Sequence, residues 1–529
     1  MRADRSGTFM SQDLHSHRPA TSGWISVVVA TGMVAACTAF SIAIDHGIHV
    51  GNENHAGLLP VMRRLSDPAY LPGDFGISIR LHHHHVFSWV AAMLARPLGE
   101  HGALALLAVL GLASIFAGLW RLGGALDLAY GRRLLLGVAI AIGIAWLDHG
   151  VEANRFLGNG PIMPPTFAHA LILFSIAAIA RQRWNLAFAL GGAVALVHLQ
   201  IGGVWLVTLI AVAVASGIAK QPGRYLPGLV AAIAIASPAL LDVLALLREG
   251  LVHGIGRTDD VAFRMPQHFE FRGDRVAVVT LYLGAFVVVW RRWLARGDAR
   301  AARFLPVLRI AICLAALTAL HYLDYYVLHT GWIARLQLLR LSLFIPVLAA
   351  FALLAALAPA SGRRERWPFA LAAFFVAGAL GIGWARHEPP SLRVVDEMRM
   401  ATDWGDITNW IREHGPTGLY VTPPGQIGFT ARTNRSTLVE FKINPDGGAG
   451  LAEWLRRLDA VTAHALPPPS TRRDVAEDLD AAYSRMSSAD FHELVRDYGV
   501  DTAVVPLASP LQGVELYRNA GYRVVALGR

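Results

Sequence analysis

Eleven apolar runs, at 24–44, 103–120, 134–147, 166–180, 184–198, 201–219, 225–247, 275–290, 304–323, 332–357 and 368–385, constrain this chain more than any motif in it. Backbone N–H and C=O groups cannot stay unpaired in hydrocarbon, so runs of this kind are satisfied as helices, and about 20 apolar residues reach across a bilayer. Several runs are shorter than that and must extend into flanking polar residues or sit among other helices. Charged residues make up only 16% of the 529, too few for the surface of a water-soluble chain of this size. The fold class expected is mainly α: a polytopic transmembrane helical bundle of about eleven spans with a small C-terminal α/β domain.

The net charge of +9 could suggest nucleic acid, but the arginines fall in short clusters between apolar runs. That is how cytoplasmic loops look, and no nucleic-acid partner is expected. Cys37 and Cys313 both lie inside apolar runs, so neither a disulfide framework nor a CxxC site is available. The polar, basic tail at 1–23 leads into an apolar run too long for a signal-peptide core, and 24–44 reads as a retained first span.

The segment 84–98 is apolar but short, and the arginines decide its placement. If it does not cross, Arg121, Arg132, Arg133, Arg181, Arg183, Lys220, Arg224, Arg291, Arg292, Arg296, Arg363, Arg364 and Arg366 share a side with the N-terminal Arg2, Arg5 and Arg18. It is therefore expected to be an interfacial helix. The N-terminus is then cytoplasmic, the membrane domain covers 24–386 with an outer loop at 45–102, and 387–529 forms an extracytoplasmic α/β domain. Within that domain the patterns predict helices at 404–414, 451–462, 474–485 and 489–498, and strands at 418–422, 436–442, 501–506 and 522–527.

With this topology the unusual polar chemistry collects on one side. The stretch 45–85 packs acids, histidines and asparagines into one loop, where ionisable groups at a membrane surface point to function. Two runs end in the same string, Asp45-His46-Gly47 and Asp148-His149-Gly150, each placing a carboxylate at a helix mouth. Paired acids there suit general-base work on an acceptor hydroxyl, or ligation of a divalent cation, Mg or Mn, by Asp45, Asp148 and Glu152. Asn52, Glu53, Asn54 and His55 follow the first acid, and Glu152, Asn154 and Arg155 the second. The run His82–His85 is less informative, because neighbouring residues do not all point at one ion. His198 with Gln200, and His321 with Asp324, could line the same cavity. Arg335, Gln337 and Arg340 enter the membrane from the outer side, where pairing with the phosphate of a lipid would offset the cost of burying an arginine.

A first span ending in an Asp, a long outer loop, a second acidic outer loop, many further spans and a C-terminal α/β domain resemble the GT-C superfamily of integral-membrane glycosyltransferases. The phrases NENHAGLLPVMRRLSDPAYLPGDF and WIREHGPTGLYVTPPGQIGFTARTNRSTLVEFK are also similar to those of uncharacterised bacterial membrane proteins of this layout. The resemblance implies a polyprenyl-phosphate or diphosphate sugar as donor, and a glycan, lipid or protein of the cell envelope as acceptor, at the outer face of the inner membrane. By position it implies catalysis by Asp45, with Asp148 or Glu152 as the second-loop acid. Substrate contacts are expected from His46, Glu53, His55, His149, Glu152, His198, Asp324, Arg335 and Arg340. Unlike superfamily members with two adjacent acids, this chain has His46 after Asp45. The alternative is a transporter or a lipid or glycan flippase without covalent chemistry, which would place its site near the bilayer midplane on broken helices. A binding or scaffold protein acting through its outer domain is a third class.

Overall fold

A computed structural model describes residues 21–82, 84–146, 157, 163–253, 266–330, 333–357, 366–445, 448–466 and 475–528. The chain is mainly helical, and helices cover the apolar runs: α1 (Thr21–Ile44), α4 (His85–Ala125), α5 (Tyr130–Trp146), α6 (Pro164–Ala180), α7 (Trp184–Val197), α8 (Leu199–Ala215), α9 (Leu226–His253), α10 (Gly273–Ala295), α11 (Ala299–Leu323), α12 (Phe344–Ala356) and α13 (Trp367–Ala385). Two short helices, α2 (Glu53–Ser66) and α3 (Phe75–Arg80), lie in the first loop. Among the described residues six helical segments are long and apolar enough to cross a membrane, and four shorter apolar helices accompany them.

The helices pack closely where small residues allow it. A side chain on Gly202 would come within 2.1 Å of the Ala195 backbone, and one on Gly192 within 2.4 Å of Ala232. Between apolar helices in a bilayer, where no hydrophobic driving force is available, such close approach is what favours packing. Trp184, Trp205, Phe304 and Phe344 fill the interior of this bundle.

Two expectations change in detail. Segment 84–98 is continuous with the next helix rather than separate, but the backbone breaks at Gly99, whose φ of 72° and ψ of 165° no other residue adopts readily. Pro97 lies two residues before the break and cannot donate a helical hydrogen bond. The run 332–357 becomes an α-helix only from Phe344. Its start is two 3-10 turns, Ala334–Leu336 and Leu338–Leu341, separated by Gln337 in the left-handed region.

After residue 387 the chain forms a five-stranded mixed sheet of β3 (Leu419–Val421), β4 (Ser436–Thr437), β5 (Thr502–Pro506), β6 (Val514–Arg518) and β7 (Tyr522–Ala526), in the order β4-β3-β5-β7-β6. The helices α14 (Asp403–His414), α15 (Phe429–Thr433), α16 (Gly448–Ala460), α17 (Val475–Ser484) and α18 (Ser488–Tyr498) complete it. The strand expected over 436–442 ends at Thr437, because the chain then turns to bury Glu440 and to pair the Phe441 N–H with the Pro424 carbonyl at 2.8 Å. A separate two-stranded parallel sheet joins β1 (Ile48–Val50) to β2 (Val394–Asp396), so the first loop and the segment after the last apolar helix are hydrogen-bonded together.

Candidate functional site

Asp45 directly follows α1, and the residues after it turn the chain into β1. His46 takes a left-handed φ of 62°. Gly47 has a φ of 134°, and a side chain there would meet the Arg393 carbonyl at 2.5 Å. Only glycine allows that approach, and next to it the Ile48 N–H donates to the same carbonyl at 2.8 Å. The Asp-His-Gly string at 45–47 thus has a backbone role. Its counterpart Asp148-His149-Gly150 lies outside the described residues, as do Glu152, Asn154 and Arg155.

His49 sits between two acceptors: Nδ1 is 2.9 Å from a Glu397 carboxylate oxygen, and Nε2 is 2.8 Å from the Asp45 carbonyl. Two acceptors require two N–H donors, so the geometry suits the imidazolium. The Glu397 carboxylate accordingly raises the His49 pKa above its ordinary value. His46 Nε2 lies 3.5 Å from Glu388, and His101 Nε2 lies 3.5 Å from Asp396. These ion-pair contacts join the first loop and the start of α4 to the chain that follows α13.

α2 is positioned by its cap. The Asn52 side chain accepts from the N–H groups of Asn54 at 3.0 Å and His55 at 3.3 Å. His55 is fully buried, and its Nδ1 accepts the Gly51 N–H at 3.0 Å, so that nitrogen serves the turn. Glu53 is exposed and lies 3.3 Å from Lys442. In the last turn of α2, Arg63 pairs with both oxygens of Glu100 at 2.6 and 2.7 Å. It also donates to the Ala431 carbonyl at 2.7 Å and to Asn434 at 2.8 Å. One guanidinium therefore ties together α2, the start of the helix after the Gly99 break, and α15.

The second neighbourhood is built around Arg340. Its Nη1 lies 3.2 Å from His198 Nε2, its Nη2 lies 3.5 Å from His268 Nδ1, and its Nε donates to the Gln337 side chain at 2.5 Å. Guanidinium is donor only, so a histidine nitrogen facing it can only accept, and the other nitrogen of His198, Nδ1, faces the Ile201 N–H at 3.4 Å. The His84 ring stands 4.4 Å from that of His198, centroid to centroid. His84 also lines a small pocket with Asn54, Arg80, Ser88, Met163 and Pro164. Both His84 (φ 51°) and Gln337 (φ 49°) hold the left-handed conformation, which costs a side-chain-bearing residue on the order of 1 kcal/mol.

The structure thus brings His198 and Arg340 together, and adds His268, Gln337 and His84, which sequence reasoning did not assign. His84 lay inside the histidine run and Gln337 in the arginine-bearing stretch, but His268 carries no local signal at all. Arg335 belongs nearby through its carbonyl, which accepts from Gln200 at 3.0 Å. Asp324 is buried and held by Thr330 and by the N–H groups of Ile333 at 2.9 Å and Ala334 at 2.8 Å. It therefore caps the turn that leads into the Arg340 segment. No group of three or more His, Cys, Asp or Glu side chains arranged for a metal occurs among the described residues. Of the three expected cation ligands only Asp45 is among them.

Residues 402–461, from α14 through α16, match a family model described as a domain of unknown function (DUF6798). No curated protein matches the chain.

Proposed function

We propose that the chain is a GT-C-like transferase of the bacterial inner membrane that moves a sugar from a polyprenyl-phosphate or diphosphate donor to a cell-envelope acceptor at the outer face. The observation that carries this reading is the Arg340 cluster, in which a guanidinium, three histidines and a glutamine converge from four separate stretches of chain beside the apolar bundle. A phosphate is a ligand that a guanidinium recognises, and apolar helices around it would bury a lipid tail.

Arg340 would stabilise the leaving phosphate, and His198 or His268 would exchange a proton with the acceptor as the guanidinium turns to the anion. Asp45, with Asp148 and Glu152 as partners, would orient or deprotonate the acceptor and hold a divalent cation where one is used. The N-terminus would be cytoplasmic and the region after 387 extracytoplasmic.

The test is transfer from a polyprenyl-linked sugar in membranes at matched expression, measured beside donor binding. Arg340→Ala is expected to weaken binding and transfer together. Asp45→Asn should lower turnover by about 10²–10⁴-fold with donor binding kept. Full transfer by Asp45→Asn would remove that acid from catalysis. Transbilayer movement of the lipid by the intact protein without any transfer would replace this reading with a flippase.

A further inference from the structure

Where α3 and α2 of the first loop meet the region around α15 and β4, two carboxylic acids are buried in one small cavity. It is lined by Ala56, Gly57, Asp74, Thr430, Thr437 and Glu440 among others, and its volume of about 20 Å³ admits a single water. Asp74 is 2% exposed and Glu440 5% exposed. Each comes from a different side of the junction, so the acids become neighbours only when the two regions dock.

Glu440 is held by backbone donors: the Gly428 N–H at 2.8 Å on one oxygen and the Thr430 N–H at 3.2 Å on the other. Asp74 caps α3 by accepting the Ile77 N–H at 2.8 Å on Oδ1. Ser436 and Thr437 lie close enough to favour charge on Asp74, yet its buried Oδ2 has no partner at hydrogen-bond geometry. The charged groups facing the pair are Arg457 from α16, beside Asp74, and Arg432 from α15, beside Glu440. Both are already engaged: Arg457 pairs with Glu453 at 2.7 Å, and Arg432 donates to the Met398 carbonyl. Two buried like charges with committed counter-ions favour keeping one acid neutral.

We propose that Asp74 and Glu440 hold one proton between them across this junction, and that losing the proton loosens the docking of the C-terminal region on the first loop. Burial, with the Asp74 charge adding to it, pushes the Glu440 carboxyl up to about 7, and burial also raises that of Asp74. A raised acid binds its proton more tightly in the docked state. Its contribution is therefore complete below about pH 4.5, the ordinary glutamate value, and lost as pH rises through about 7. His49 acts in the same direction at a higher pH, above its ordinary 6.5. The two are separable by window. The proposal does not depend on the transferase reading.

The experiment is amide hydrogen exchange of the full chain in detergent, corrected for the intrinsic pH dependence, followed in peptides covering 74–80 and 426–440. Opening of the junction should increase by about ten-fold per pH unit between about pH 5 and 6.5, the change that release of one proton produces. Glu440→Gln should abolish that slope while keeping the one above pH 6.5. A difference infrared spectrum should show a protonated-carboxyl band that titrates near pH 7 in the wild type, is absent in Glu440→Gln, and moves to lower pH in Asp74→Asn. An unchanged slope in Glu440→Gln would overturn the proposal. So would a wild-type spectrum without the band at pH 5–6, whether or not the variant folds.

Discussion

The helical part and the region after 387 both bury large aromatic side chains, but their outward faces differ. On the helices, Leu281, Phe374 and Trp384 present 72%, 69% and 68% of their surface outward, each on a helix apolar enough to span a bilayer. In the C-terminal region Trp454 and Tyr483 are fully buried, and the outward faces of α14, α16 and α18 carry charge. In lipid, large apolar groups can face outward without cost, whereas in water they are mostly buried, so the outward faces are those expected of one half in a bilayer and one half in water.

The largest expected effect lies in the C-terminal half. Trp454→Ala removes a fully buried indole whose N–H donates to the Glu440 carbonyl at 3.2 Å, and should destabilise the C-terminal region by about 3–5 kcal/mol in chemical denaturation. Next comes a matched pair that can break the comparison. Leu281→Asp, near the middle of α10, should cost about 3 kcal/mol in a membrane-insertion assay, whereas Val514→Asp, equally exposed on the edge strand β6, should change stability by about 0.5 kcal/mol or less. Equal tolerance of the two aspartates would mean that α10 faces water.

Arg63→Met probes the seam between the halves. It strands the Glu100 carboxylate and removes the donors to Ala431 and Asn434, at about 2 kcal/mol, and should speed protease cleavage within 426–440 without touching the bundle. The smallest effect is expected from His49→Gln, about 1 kcal/mol and confined to pH below the raised pKa of that histidine. The sign follows from the imidazolium: its contribution is complete below about pH 6.5 and disappears as pH rises through the raised value. The wild type should lose this contribution of about 1 kcal/mol as pH rises through the raised value, and His49→Gln should lack that step.

The candidate site was legible to different depths. Arg340 and His198 stand out because ionisable groups at the ends of apolar runs are costly unless they have a partner. That they are partners of each other was not legible, since 142 positions separate them. His268 gave no sign, because a histidine two residues after a proline in a polar loop is ordinary. His49 lay within the loop singled out, but its role depends on Glu397, 348 positions away. Glu440 fell within the strand expected over 436–442, and its burial comes from a turn that local pattern does not record.

By itself, the sequence determined the helices, the helical and α/β halves and most elements of the second half, because these follow from periodicity, from the length of apolar runs and from the backbone's need to satisfy its own hydrogen bonds. Only the tertiary structure decided that β1 pairs with β2, that the Arg340 cluster draws on separate stretches of chain, and that Asp74 and Glu440 share a cavity. Those contacts join residues far apart in the chain, and their energies depend on burial and on which charges meet, neither of which exists before the helices and the sheet have docked.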